Sequence, residues 1–370
     1  MKRAKKPSKA RTMRNSIKER TLPKKLITRG VTKWIPSGSI MFNLTCSNHW
    51  SGAYKPGTMV NVIGDSSAGK SIMVLSGLAE MVYTSDWDNY TLIYDDSEFA
   101  NSFDMDKLFG SKFTKRIQSP DPKNPDDYST TIEEFQDYLW DAIETKKPFV
   151  YVLDSFDALD ALDELKKDKA NRVKRKEGRA EESKGSYGTA KAKKASSLFR
   201  QACVELSKTK SLLIIISQTR DNLSAMSFSQ KTRAGGKALK FYASIETWLT
   251  HKGVLKKIIN SQEYQIGVKT HCKITKNKYT GRRGFADFPI YYDYGIDDLS
   301  ACIDFLVDYK WWNKRKMTID AQDINIEASK SKLIEIIEEK NLQEEVFQCC
   351  QNCWEDTQKK LKLDRKGKFK

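Results

Sequence analysis

Residues 64–71 read GDSSAGKS, and Gly64, Gly69, Lys70 and Ser71 complete the pattern G-x-x-x-x-G-K-[ST]. Each position has a mechanical task. The two glycines let the backbone turn tightly, so that N–H groups across Asp65, Ser66, Ser67 and Ala68 converge on phosphate oxygens. Lys70 is placed to reach the β- and γ-phosphates of a nucleotide, and Ser71 to hold Mg²⁺ through its hydroxyl. The flanks suit this reading. TMVNVIG (58–64) is apolar and β-rich, as a buried strand should be, and SIMVLSGLAEMVY (71–83) has helical apolar spacing. Strand, glycine turn and helix start put the helix dipole behind the phosphates. ATP and Mg²⁺ are the expected cofactors.

Outward from this loop, strand and helix patterns alternate from about residue 36 to about 308. Apolar β-rich runs recur at 92–94, 149–153 and 212–216, with helical patterns at 132–143 and 195–206 between them. Such alternation implies an α/β core with a mainly parallel central sheet. Beyond Lys252, VLKKII and YQIGVKTHCKITKNKY predict a β-hairpin extension, and FADFPIYY a further strand. Residues 328–361 read as two helices, a small C-terminal module. The expected division is a basic arm and connecting segment at 1–35, an ATPase core at 36–310, and a helical module with a basic tail at 311–370.

Three strand ends supply polar groups where a parallel sheet binds ligands. FVYVLDS ends in Asp154, placed to bind a water on Mg²⁺ beside Ser71. TLIYDDSEF presents Asp95, Asp96 and Glu98, any of which is a candidate to orient and deprotonate an attacking water. SLLIIISQTR ends in Gln218, a neutral amide able to sense the γ-phosphate by hydrogen bonding. The segment that follows, 219–236, is long and polar. It carries Arg220, Lys231 and Arg233 as cations, with Met226 and Phe228 between, and closes on Gly235 and Gly236. Cations for phosphates with apolar side chains for stacking suit single-stranded DNA.

The 370-residue chain carries a formal net charge of +17, and that charge is uneven. Residues 1–25 hold eleven Lys/Arg against one acid, and residues 166–194 hold twelve against four. These give +10 and +8, so the rest of the chain is close to neutral. Concentrated cations on a neutral body point to a polyanion, nucleic acid first. Lys184 and Lys191 in the second segment are candidate phosphate contacts. A third basic stretch, KKLKLDRKGKFK, closes the chain. No apolar run approaches the roughly 18 residues that span a membrane, and the basic N-terminus does not read as a secretory signal. Seven unevenly spaced cysteines imply a reducing, cytoplasmic setting. Cys349, Cys350 and Cys353 form a CCxxC group without a second pair or a nearby histidine, which predicts helix packing and no zinc.

These stretches resemble the RecA-type recombinases, close to bacterial RecA and the phage UvsX branch. The resemblance rests on SGSIMFNL, GDSSAGKS, YDDSEF, VLDS, SQTR followed by AGGKALKFYAS (234–244), and KITKNK (273–278), within residues 36–308. It implies a RecA-like ATPase that forms helical filaments on single-stranded DNA and pairs it with homologous double-stranded DNA. A mediator or single-strand-binding protein is a further implied partner, with the cytoplasm or nucleoid of a bacterial host as the setting. By the same resemblance Glu98 is the catalytic carboxylate and Gln218 the γ-phosphate sensor. Loops at about 163–194 and 219–236 bind DNA. Lys276 and Lys278 act across a subunit interface, with Phe241 close by. Such cations stabilise charge on the transferred phosphoryl group. The sequence departs from the family where bacterial RecA stacks an aromatic ring on adenine: here Met105 stands. The alternatives on the same fold are a DNA-binding accessory or regulatory ATPase and a ring-forming DNA motor.

Overall fold

The computed structural model describes residues 33–99, 104–176, 189–221, 231–233 and 236–365. Residues 33–298 form one compact unit, and 299–365 belong to a second. In the first unit the helices are α1 (Ile40–Ser47), α2 (Lys70–Tyr83), α3 (Met105–Phe109), α4 (Ser111–Arg116), α5 (Ile132–Glu144), α6 (Leu162–Lys176), α7 (Thr189–Thr209) and α8 (Gly236–Tyr242). Its strands are β1 (Thr58–Gly64), β2 (Thr91–Asp95), β3 (Ile117–Gln118), β4 (Phe149–Leu153), β5 (Leu212–Asp221), β6 (Lys231–Arg233), β7 (Ile245–Ile259), β8 (Gln262–Asn277), β9 (Phe285–Tyr291) and β10 (Gly295–Ile296).

One sheet runs β10-β9-β8-β7-β1-β5-β4-β2-β3, with β6 paired to β5 alone. From β7 to β3 every neighbouring pair is parallel. From β7 to β10 the pairs are antiparallel, so the expected hairpin extends a mainly parallel sheet. The parallel strands are buried on both faces, which explains their unbroken apolar runs. Tyr151, Leu153, Leu213 and Ile215 meet Phe135 and Leu139 of α5 and Phe199 and Leu206 of α7. Their neighbours Val150, Val152, Ile214 and Ile216 face the other way and are also buried. The β1-to-β2 connection runs opposite to those through α5 and α7, so right-handed crossovers place α2 on that second face. Helix α5 starts on a capping box, in which Glu134 accepts from the Thr131 N–H at 3.1 Å and the Thr131 hydroxyl accepts from the Glu134 N–H at 3.2 Å.

Register decides where the chemistry sits. Gly64 lies opposite Gln218, and Asp95 opposite Leu153. The carboxyl ends of β1, β2, β4 and β5 therefore align along one edge, the crevice where open α/β sheets bind ligands.

The second unit contains α9 (Asp298–Asp308), β11 (Asn313–Arg315), β12 (Thr318–Ala321), β13 (Ile326–Ala328), α10 (Lys330–Glu339) and α11 (Gln343–Lys360). Strands β11, β12 and β13 form an antiparallel sheet. The sequence reading found the last two helices and missed this sheet, whose strands of three and four residues are too short to show a period. Asp323 fixes the turn beside it, accepting from the indole N–H of Trp311 at 3.0 Å and of Trp312 at 2.8 Å. Cys349, Cys350 and Cys353 are buried on α11, and no group of three or more His, Cys, Asp or Glu among the described residues is arranged to hold a metal. All seven cysteines are free. No helix among the described residues is long and apolar enough to cross a membrane.

Candidate nucleotide site

The loop between β1 and α2 takes left-handed backbone at Ser67 (φ 60°) and Gly69 (φ 90°). A Cβ at Gly69 would lie 2.3 Å from Ile290 Cδ1. The left-handed φ favours glycine there, and any added Cβ would also force Ile290 Cδ1 to shift. The loop is braced from β8, where the Thr270 hydroxyl donates to the Ala68 carbonyl at 3.1 Å. Lys70 is buried at the first turn of α2, and its ammonium donates to the Asp65 carbonyl at 2.8 Å. Burial lowers its pKa, against the opposing pull of Asp154, Glu98, Asp65 and Asp157.

Asp154 follows β4 directly. Its Oδ2 accepts from the Ser71 hydroxyl at 2.6 Å and from the Tyr94 phenol at 2.8 Å. Burial raises the Asp154 pKa, the two hydrogen bonds oppose the rise, and Glu98 and Asp96 add to it. A hydroxyl and a carboxylate sharing one hydrogen bond are hard oxygen donors of the kind Mg²⁺ prefers. The surplus of carboxylates over the Lys70 charge favours a cation as well. The residues present fit Mg²⁺.

Glu98 lies just beyond β2. Its Oε1 accepts from Gln218 Nε2 at 2.7 Å and also from the Ser155 hydroxyl. The Gln218 N–H donates to Asp157 Oδ2 at 2.6 Å. The Thr219 hydroxyl donates to Asp65 Oδ1, closing the network back onto the phosphate loop. Lys70, Ser71, Glu98, Asp154 and Gln218 therefore stand in one network built from four strand ends. Asp95 does not join it as a base. It is fully buried and accepts from the Ser129 N–H at 2.9 Å, the Ser129 hydroxyl at 2.6 Å and the Tyr151 phenol at 2.7 Å. These bonds make it a brace for the chain before α5.

Other expected positions fall elsewhere. Lys276 pairs with Glu246, level with Asn61 in the middle of β1 and away from the loop end. Its ammonium donates to the carbonyls of Lys240 and, at 2.9 Å, Phe241, which end α8. Lys278 Nζ reaches the same Phe241 carbonyl at 3.4 Å, and the Phe241 ring is 70% exposed. Met105 opens α3 behind Asp104, whose carboxylate caps the helix by accepting from the Lys107 N–H at 3.0 Å.

The two expected DNA-binding loops, 163–194 and 219–236, contain regular structure where they are described. Residues 162–176 are α6, and α7 starts at Thr189, so only the middle of the 163–194 segment lies outside described helix. Lys191 sits on α7 with its ammonium over the Phe156 ring at 4.6 Å, donating to the carbonyls of Asp157 and Leu159. That ammonium is turned toward the chain after β4. Arg220 lies on β5, while Lys231 and Arg233 lie on β6, which pairs with it antiparallel. Gly236 begins α8. Lys184, Met226, Phe228 and Gly235 lie outside the described residues.

A family model described as the RecA N-terminal domain matches residues 24–297. This chain belongs to the RecA family. Its relatives include "Protein RecA" of Enterococcus faecalis, 26% identical over 278 residues, 74% of this chain and 69% of that one. "Protein RecA" of Methylococcus capsulatus is 26% identical over 275 residues, 74% of this chain and 70% of that one. A shorter stretch of 118 residues, 32% of this chain, is 35% identical to "Protein RecA" of Chlorobaculum parvum and covers 33% of it. A solved structure described as the RadB recombinase aligns with a TM-score of 0.46 at 15% identity, over 71% of this chain and 98% of that one.

Within this RecA-family core the sequence reading missed four polar residues. Tyr94 holds Asp154, Ser155 holds Glu98, Asp157 holds Gln218, and Thr219 holds Asp65. The VLDSFD stretch carried a partial signal, since a second acid three residues after Asp154 turns back toward the strand end. Tyr94 and Thr219 gave none, because both are ordinary strand residues by composition.

Proposed function

We propose that this RecA-family chain is an ATP-dependent homologous recombinase. In this reading it forms helical filaments on single-stranded DNA, pairs that strand with homologous duplex, and hydrolyses ATP when DNA is bound. The observation that supports it best is the Gln218–Glu98 hydrogen bond beside the phosphate loop, at the root of the segment expected to bind DNA.

In this reading the residues take the following roles. Loop N–H groups from Gly64 to Ser71 bind phosphate oxygens, and the Lys70 ammonium leaves the Asp65 carbonyl for the β- and γ-phosphates. Ser71 and Asp154 would hold Mg²⁺, which supplies charge neutralisation at the phosphates. Glu98 orients a water in line with the γ-phosphate and takes its proton on a carboxylate oxygen. Gln218 exchanges Glu98 for a γ-phosphate oxygen, and this shift carries nucleotide state along β5 toward Arg220 and the DNA segment. Lys276 and Lys278 release the α8 carbonyls and complete the site of a neighbouring protomer, so hydrolysis depends on assembly. Arg220, Lys231 and Arg233 with Met226 and Phe228 contact the DNA strand, Lys184 and Lys191 its phosphates.

Electron microscopy with single-stranded DNA and a slowly hydrolysed ATP analogue tests this reading. Helical filaments are expected, and rings would overturn it in favour of a DNA motor. If filaments form, a D-loop assay separates a recombinase, which makes joint molecules, from an accessory ATPase, which does not.

A further inference from the structure

Beside Ser71, the Asp154 carboxylate has a second hydrogen-bond partner that a phosphate-loop site does not demand. Strand side chains alternate, so Tyr94 and Val152, paired across β2 and β4, point to the same side of the sheet. Asp154 follows two residues later on that side, diagonal to Tyr94 and within reach of a long side chain. The Tyr94 phenol spans the gap and donates to Asp154 Oδ2 at 2.8 Å, on the same oxygen that accepts from Ser71 at 2.6 Å. The Tyr94 ring is 5% exposed, so water does not replace this bond. The Asp154 main chain is fixed as well, its N–H donating to the Asp95 carbonyl at 2.9 Å and its carbonyl accepting from the Glu98 N–H at 3.3 Å.

Resting on the Mg–nucleotide reading above, we propose that Tyr94 is a positioning residue: its hydroxyl locks the Asp154 carboxylate in the orientation that serves the metal on Ser71. The geometry supports the lock: the phenol and the Ser71 hydroxyl converge on one carboxylate oxygen, and the Asp154 main chain is held at both its N–H and its carbonyl. Partners of this kind, one step removed from a metal, commonly change its affinity 10–100-fold when lost.

The test is the variant Tyr94→Phe, which keeps the ring and deletes the hydroxyl. Binding of a fluorescent ADP is measured against MgCl₂ concentration and again in EDTA. The Mg²⁺ concentration for half-maximal enhancement is expected to rise about tenfold, with affinity in EDTA unchanged. In an Asp154→Asn background the same change should produce no further shift, since Tyr94 acts through that carboxylate. A Mg²⁺ midpoint within twofold of the parent protein overturns the proposal. So does an equal loss with and without Mg²⁺, which marks a purely structural role. If the parent protein itself binds the probe without any response to Mg²⁺, the metal–nucleotide reading fails first and takes this inference with it. Thermal melting of both variants reports whether the fold is kept.

Discussion

Gln218 Nε2 donates to Glu98 Oε1 at 2.7 Å, joining the end of β5 to the segment just beyond β2. The carboxylate assigned as base is thus held by the amide assigned as sensor. In this state Glu98 is a hydrogen-bond acceptor on two sides, since Ser155 also donates to it. Glu98→Gln removes the proton acceptor while preserving size. Hydrolysis with single-stranded DNA is expected to fall about 10²–10⁴-fold, with nucleotide affinity within about threefold of the parent. Steady-state phosphate release and fluorescent-nucleotide titration measure the two. Retained hydrolysis would move the role to Asp96, because Asp95 is committed to Ser129 and Tyr151.

Lys70 is buried, and its ammonium donates to the Asp65 carbonyl at 2.8 Å. Lys70→Ala removes the one cation of the loop GDSSAGKS. Nucleotide affinity is expected to drop by about two orders of magnitude, as for loss of a charge-assisted bond worth about 2–3 kcal/mol. Isothermal titration checks the value, and near-normal affinity would contradict the assignment.

Gly69 combines a φ of 90° with a space closed by Ile290. Gly69→Ala is expected to destabilise the protein by about 2 kcal/mol, from backbone strain and overpacking together. Adding Ile290→Val, which removes the Cδ1 methyl that the new Cβ would strike, should restore part of that loss. Urea unfolding of the single and double variants measures both.

A pair of acids gives stability a definite pH dependence. Burial pushes the Glu80 carboxyl up to about 8, with the Asp298 charge adding to the rise, and burial pushes that of Asp298 up to about 7, with Asp297 adding to it. Asp298 accepts from the Ile40 N–H at 2.9 Å, and Glu80 is hydrogen-bonded to the Gly38 backbone, so both acids hold the start of α1. A raised folded-state pKa means the folded protein binds the proton more tightly than the unfolded chain. Stability is then greatest below the unfolded pKa values and falls as pH rises toward about 8. Glu80→Gln mimics the neutral form. Its unfolding free energy, from urea titration, should match the parent at pH 5 and exceed it at pH 9 by about 1 kcal/mol after discounting for partial exposure. A variant equal to the parent at pH 9 would show that this burial is relieved by solvent.

Much of this site was legible in the sequence because it is local. GDSSAGKS needs no partner to be read, and the apolar runs before Asp154 and Gln218 announce strand ends. Parallel register then does the assembling, by setting Gly64 against Gln218 and Asp95 against Leu153. What stayed hidden depends on that register. The Tyr94–Asp154 and Thr219–Asp65 bonds join residues 60 and 154 positions apart, between strand positions that composition does not mark. Asp95 and Glu98 look alike in YDDSEF, and only burial separates a brace from a base. The short strands β11 to β13 lacked any period to read.

In the proposed assembly ATP is a joint between protomers on DNA, completed by Lys276 and Lys278 of a neighbour. The most direct measurement is ATP hydrolysis per protomer as a function of protein concentration, with and without single-stranded DNA, for the parent protein and Lys276→Ala. The expected rate rises more steeply than protein concentration, requires DNA, and falls about tenfold or more in Lys276→Ala while nucleotide affinity changes little. A rate strictly proportional to protein, indifferent to DNA and unchanged by Lys276→Ala, would contradict it.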